Sequence, residues 1–414
     1  MSAGGPTRAE IPPDTRPSAL LLSGLRRGVV QVFLPVAIAA QALSWTAYLI
    51  SGAYRPVSWL KIGFAYALAS VRVPFEVTER DLGGPVPVQT ETMAVALGAL
   101  TVAVIVLAFR AGRDQGHGLE RRPVAAGLAG AVVGLGFAVP SLLVAVPVRL
   151  SFPAAGIASV RPVLWAAFVM PLAVGAAVGA IGGLAAARER VEGSAWGARA
   201  VAAARGGFAA LWWGLALAFL GFLVVAVVQT GVTRAYGRAM GGAGAGGAVA
   251  VVHHALLLPN QSAMILSASM GSPVEFTAGR RGATVGLTGI DVAGDGSLLF
   301  GLIGLEGGRL DLPTWFWAFL LVPLAATIAG GRRAGEGARS PRERALVGAL
   351  AGLVYALGAT LSAWAATLVV PVLTALFGGP TRLGPDLGRT LTLGVVWGVL
   401  GCAAGSLAAP RRPR

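Results

Sequence analysis

Eight stretches of the chain are long, apolar and free of charged residues, and they constrain the fold more than any other feature. A membrane-spanning helix needs about 20 largely apolar residues. Only 12% of the residues are charged and the mean hydropathy is +0.73, whereas about 25% are charged in an ordinary soluble domain. The sequence therefore predicts an all-α, polytopic membrane protein with about eight spans. The stretches are 28–52, 93–109, 123–148, 162–187, 206–229, 313–329, 345–376 and 390–408.

The distribution of basic residues predicts which loops face the cytoplasm. Short loops rich in Lys and Arg stay inside. With the N-terminus inside, the inner segments hold 20 of the 33 Lys and Arg residues, although they are about half as long in total as the outer segments. We therefore expect a bacterial cytoplasmic membrane protein with both termini cytoplasmic, and a basic balance that attracts anionic lipid rather than nucleic acid. The inner segments are 1–27, 110–122, 188–205, 330–344 and 409–414.

Residues 247–268 form a further apolar segment that does not fit this alternation. If it crossed alone, the loop 330–344 with its five arginines would be exported. A second crossing would have to use 297–305, which gives only about 14 Å of helix. We expect a re-entrant segment that enters from the outside and returns, with a break at Pro259, Asn260 and Gln261. A ten-span protein is the alternative.

The chain also shows signs of duplication. Residues 128–130 repeat at 350–352, and Gly175 and Gly182 repeat at Gly398 and Gly405. Both halves begin inside, which predicts parallel repeats of four spans each. Chance similarity between Ala- and Gly-rich helices is the alternative. The predicted division is an N-terminal tail 1–27, a first half 28–187, a linker 188–205, a second half 206–408 with the outer segment 230–312, and a C-terminus 409–414.

Polar side chains inside the 247–268 segment are the strongest functional candidates. Ionisable groups at membrane depth are functional candidates by default, and Pro259 frees backbone groups that need partners. A solute pathway or substrate contact is one interpretation. Neutral imidazoles bonded within the bundle and a self-satisfied turn are the other. Adjacent histidines point about 100° apart on a helix, so a metal site is not predicted. The candidate residues are His253, His254, Asn260, Gln261 and Ser262.

Glycines at four-residue spacing predict close helix packing. Lipid supplies no hydrophobic drive between helices, so small residues let their backbones approach. Their spacing identifies no particular dimer. The packing glycines are Gly175, Gly179, Gly183, Gly394, Gly398, Gly401 and Gly405.

No sequence pattern indicates catalysis or a cofactor. A nucleophile elbow, a zinc helix, a phosphate-binding loop and paired carboxylates within a span are all missing from the sequence. The pattern Gly242-x-Gly244-x-x-Gly247 follows no strand and is interpreted as a flexible linker. The single cysteine, Cys402, excludes an intramolecular disulfide. Whether the protein is an enzyme stays open.

Two functions from different classes follow from these features. Duplication together with an interrupted helix favours a permease or transporter with its pathway between the halves. Spans without charge favour a non-enzymatic membrane scaffold or an envelope-associated partner protein. Neither interpretation identifies a small-molecule substrate or a protein partner.

The segment HHALLLPNQSAMILSASMG at residues 253–271, together with the arginine-bounded spans, resembles the streptophobe family of hydrophobic actinobacterial membrane proteins. The resemblance covers nearly the whole chain, and only the 253–271 segment is specific. It implies a multi-pass cytoplasmic-membrane protein and supplies no catalytic residue.

Overall fold

The structure is a computed structural model that describes residues 17–51, 56–79, 90–152, 157–228, 245–278, 281–285, 289–293, 309–311, 314–370 and 381–410. Helix dominates these residues, as the sequence predicts. Six of the described helices are long and apolar enough to cross a membrane. The protein is therefore a membrane protein. The six segments are Pro17–Leu49, Pro123–Ala145, Leu164–Ala186, Ala195–Val224, Pro341–Ala366 and Leu387–Leu407.

Helices of the N-terminal half (residues 17–187) begin with a long rod, in which a π-helical stretch, Gly28–Phe33, joins two α-helices. Backbone angles stay helical at Arg27 and Leu34, so the rod is not interrupted. The helices are α1 (Pro17–Arg27), α2 (Leu34–Ser51), α3 (Pro56–Ala69), α4 (Gly98–Gly116), α5 (Pro123–Ala131), α6 (Val133–Ala145) and α7 (Leu164–Ala186).

Helices of the C-terminal half (residues 195–410) follow a short connecting helix, α8 (Arg188–Glu192). A 3₁₀ helix, Thr314–Leu320, leads into α11. Ser340 accepts a hydrogen bond from the N–H of Glu343 and Asp386 accepts one from the N–H of Arg389, which fixes the first turns of α12 and α13. The helices are α9 (Ala195–Val228), α10 (Ala245–Ser269), α11 (Leu321–Gly335), α12 (Pro341–Ala366) and α13 (Leu387–Leu407).

Two antiparallel sheets, which the sequence analysis did not predict, connect the helices at one end of the bundle. The strands are β1 (Phe75–Glu79), β2 (Thr90–Met93), β3 (Leu150–Phe152), β4 (Ile157–Pro162), β5 (Val274–Ala278), β6 (Arg281–Val285), β7 (Gly289–Ala293), β8 (Arg309–Asp311), β9 (Leu368–Val370) and β10 (Thr381–Pro385). The first sheet has the order β2-β1-β4-β3 and the second the order β8-β7-β6-β5-β10-β9. A bridge between Ala94 and Val369 joins the two sheets.

These strands shorten two of the predicted spans. Helix α4 begins only at Gly98, after β2, so its uncharged part before Arg110 is about 18 Å long. The predicted span 313–329 is divided between the 3₁₀ helix and α11. Neither segment is among the six long apolar helices. The span predicted at 345–376 ends as a helix at Ala366, and its continuation includes β9.

The predicted break at Pro259, Asn260 and Gln261 is wrong, because α10 runs through all three residues without interruption. A proline inside a helix removes one backbone hydrogen bond, and α10 stays helical across that position. The helix ends at Ser269, and two residues later Gly271 takes a φ of 95°. Glycine adopts such left-handed angles without steric cost.

Helices approach closely at glycines in both halves. Gly130 lies so close to the carbonyl of Gly179 that a Cβ at residue 130 would overlap it. In the C-terminal half a Cβ at Gly352 would overlap Gly398 in the same way. Gly183 lies against Ala126, Gly175 against Gly134, Gly394 against Ala356, Gly401 against Thr327 and Gly405 against Ile328.

Candidate functional site at the junction of the halves

Helix α10 lies where the two halves meet. In its own half it packs against α9 and α12, and on its other side it contacts α2 and α4 of the N-terminal half. Leu256 is buried in the apolar core that includes Leu100 and Val104 of α4. A polar side chain on α10 can therefore contact both halves.

Asn260 makes such a contact. Its Nδ2 donates to the carbonyl of Ala96 at 2.9 Å, and the residue is only 4% exposed. Its Oδ1 is buried and has no hydrogen-bond partner among the described residues. A Cβ at Gly98 would overlap this oxygen, so only glycine leaves room for it. An unsatisfied buried polar group costs about 1–3 kcal/mol, which marks Asn260 as a candidate for function.

The other residues predicted on α10 take different positions. Ser262 is buried and donates to the carbonyl of Leu258 at 3.0 Å, within its own helix. Gln261 is half-buried. The side chains of His253 and His254 lie outside the described part of the structure. The backbone position of His253 precedes Asn260 by seven residues, or about two helical turns.

Arg72 is a second polar residue at the junction, and the sequence analysis did not select it. It is 9% exposed, and its Nη2 donates to the carbonyl of Thr367 in the other half at 3.2 Å. Its guanidinium carbon lies 4.2 Å from the ring centre of Trp364. Its Nε is buried without a hydrogen-bond partner among the described residues. Arg72 thus links the turn after α3 to the end of α12.

The electrostatic environment of Arg72 is unfavourable for its charge. Burial, and then the positive charge of Arg382, lower the pKa of Arg72 to about 10. The guanidinium stays protonated at neutral pH. Arg72 is also the single residue other than glycine with a positive φ, 58°, in the described part of the chain.

Arg72 and Asn260 both lie where the N-terminal half reaches its sheet. The N–H of Leu97 donates to the carbonyl of Ala69 at 3.3 Å, which holds the start of α4 beside the end of α3. The name junction site is used here for two neighbouring sets of contacts, those of Arg72 with Trp364 and Thr367 and that of Asn260 with Gly98. A cation, an aromatic ring and an amide oxygen are groups that can contact a small polar or anionic solute.

Within the described residues there is no group of three or more His, Cys, Asp or Glu side chains that could hold a metal ion. Cys402 is free and buried. No family model, curated protein or solved structure matches the chain. The interpretation of the site rests on the residues of this chain.

Proposed function

We propose that the protein is a permease-like membrane protein made of two repeated halves, with a solute pathway along α10 at the junction site. The single observation that carries the proposal is the buried Oδ1 of Asn260, which faces the other half without a hydrogen-bond partner among the described residues. Asn side chains in membrane bundles commonly bond across helices, as the Nδ2 of Asn260 does, whereas an oxygen left without a partner can accept a hydrogen bond from a solute.

The strand order supports the duplication. In the first sheet β1 lies between β2 and β4, with β3 beyond β4, and in the second sheet β5 lies between β6 and β10, with β9 beyond β10. In the first sheet β1, which follows α3, pairs with β4, which follows α6. In the second sheet β5, which follows α10, pairs with β10, which follows α12. The paired strands thus follow corresponding helices of the two halves. A duplication predicts such an agreement in strand order between the two sheets.

The turns that lead into β1 and β5 support it further, because their hydrogen bonds correspond one by one. The N–H of Arg72 donates to Ala69 at 3.0 Å, and the N–H of Gly271 donates to Ala268 at 2.9 Å. Arg72 and Gly271 both have a positive φ. After each turn comes Pro-x-Glu-x-Thr, at 74–78 and at 273–277.

The end of α10 supports a re-entrant segment whose return comes after the helix rather than at Pro259. The hydroxyl of Tyr355 donates to the sulfur of Met270 at 3.3 Å, and the indole N–H of Trp397 donates to the Met270 carbonyl at 3.1 Å. Tyr355 lies about 16 Å before the sheet end of α12. The chain then returns to the sheet as β5. On this topology α4 and α11 still connect the sheet side to arginine-rich loops, which gives eight crossings.

Permeability of reconstituted vesicles tests the proposal. Purified full-length protein in phospholipid vesicles is mixed with hyperosmotic glycerol, urea, ribose or potassium acetate, and vesicle volume is followed by stopped-flow light scattering. We expect at least one solute to enter vesicles that contain the protein faster than it enters empty vesicles. N260L should lower the rate of solute entry about tenfold or more, because it removes a buried polar contact. T360V is the matched control, because the Thr360 hydroxyl bonds within its own helix at 2.8 Å. Rates equal to those of empty vesicles would contradict the proposal.

A membrane scaffold is the second candidate, and one observation favours it. Several hydroxyls in the apolar helices donate to backbone carbonyls of their own helices, as those of Ser141, Ser267 and Ser362 do. Vesicles that stay tight, together with a stoichiometric partner recovered by crosslinking in the membrane, would favour this function.

A further inference from the structure

A groove runs along the outer surface of the bundle between α11 and α13. It has a volume of about 340 Å³ and is lined by apolar side chains. Leu400 is 67% exposed and Val396 is 48% exposed, so the groove opens away from the bundle, toward the hydrocarbon of a membrane. Its lining includes Leu324, Ile328, Val396, Trp397, Leu400 and Ala404.

The shape of the groove fits a hydrocarbon chain better than a protein helix. From Val396 to Ala404 the groove extends about 12 Å along α13. Over that length a volume of about 340 Å³ corresponds to a cross-section of about 28 Å², which suits a single extended chain and is well below the cross-section of a helix about 10 Å in diameter. The indole N–H of Trp397 is held by the Met270 carbonyl, which fixes one wall.

An exposed cation follows the groove-lining residues of α11 along the same side of that helix. Arg332 follows Ile328 by one helical turn and Leu324 by two, so the three residues share a side of α11. Arg332 is exposed and forms no ion pair with a described residue, whereas Arg333 pairs with Glu336 at 3.5 Å. An arginine guanidinium binds phosphate through two parallel hydrogen bonds.

We propose that this groove binds one anionic phospholipid, with an acyl chain along the groove and its phosphate at Arg332. The apolar groove supplies the site for the chain, and the exposed guanidinium that follows it along α11 supplies the charge that selects an anionic headgroup. The site lies away from the junction site and does not depend on the proposed transport function.

Native mass spectrometry of the purified full-length protein tests this assignment. The protein is titrated with dioleoylphosphatidylglycerol or dioleoylphosphatidylcholine, and the lipids retained per protein are counted. We expect the phosphatidylglycerol series to show one site that phosphatidylcholine fills at least fivefold more weakly, because one basic side chain near an anionic headgroup contributes about that factor. Ten-millimolar inorganic phosphate should not empty the site, since it lacks the acyl chain.

Three variants separate the groove from general surface charge. R332Q should weaken the phosphatidylglycerol site about fivefold, and A404F should weaken it by filling the groove while leaving Arg332 intact. R333Q is the matched control, because it removes a neighbouring arginine that is already paired, and it should bind like the unchanged protein. Equal loss in R332Q and R333Q, unchanged binding in A404F, or displacement by free phosphate would each overturn the proposal.

Discussion

Substitutions at Arg72 test the left-handed turn that links the halves. R72A and R72G both remove the guanidinium, its hydrogen bond to Thr367 and its contact with Trp364. Both variants lose these contacts, and both gain stability because a charge is no longer buried. These effects are therefore equal in the two variants and cancel when their stabilities are compared. Two differences remain: the φ of 58°, which alanine must keep and glycine adopts freely, and the larger chain entropy that glycine loses on folding, which favours alanine by about 0.5–1 kcal/mol. A left-handed residue other than glycine costs about 1–2 kcal/mol.

We therefore expect the free energy of unfolding of R72G to exceed that of R72A by about 0.5–1 kcal/mol, which is the cost of the left-handed angle less the entropy that glycine loses on folding. G271A should lose a similar amount, because Gly271 has a φ of 95° at the corresponding turn. The measurement is reversible unfolding in mixed micelles of dodecyl maltoside and dodecyl sulfate, followed by far-ultraviolet circular dichroism.

Arg161 is the matched control and should give the opposite sign. It is an exposed arginine in β4, paired with Glu76 at 2.8 Å. Glycine in a strand is about 0.5–1 kcal/mol less favourable than alanine, so R161G should be less stable than R161A. Equal stabilities of R72A and R72G, with G271A unchanged, would refute the left-handed turn.

Two further predictions concern helix packing and α10. G179V should lower the free energy of unfolding by about 1–3 kcal/mol or more, because a side chain at residue 179 would overlap the Gly130 carbonyl. In the same unfolding assay A177V, on the exposed side of α7, should change the free energy of unfolding by less than about 0.5 kcal/mol. P259A should raise the stability of α10, because the helix is continuous at Pro259 and alanine restores a backbone donor there. Slower amide exchange around residues 255–259 would support this prediction, and faster exchange would contradict it.

The membrane helices could be predicted because length and apolarity are local properties. Uncharged runs indicate spans directly, and the six long helices confirm the membrane class. The sheets could not be predicted in this way. Their strands are three to six residues long, and most lie in segments interpreted as outer loops, whereas β9 lies in the predicted span 345–376. Their alternation is too short to separate from the surrounding sequence.

The junction site was only half predictable for a related reason. Asn260 was selected because a polar run in an apolar helix is unusual, but its partner Ala96 lies 164 residues away. Arg72 looked like an ordinary loop cation, since its burial depends on Thr367, 295 residues later. The break expected at Pro259 was wrong because local sequence does not reveal how the packing around a helix tolerates a proline.

Cysteine accessibility at two positions tests the topology most directly. The natural Cys402 is buried, which leaves little background labelling, and a side chain at Gly337 meets nothing within 4 Å. Intact cells carrying V285C or G337C are treated with a membrane-impermeant maleimide before and after lysis. We expect residue 285 to be labelled in intact cells and residue 337 only after lysis. Labelling of residue 337 in intact cells would contradict the eight crossings, the re-entrant α10 and the parallel halves together.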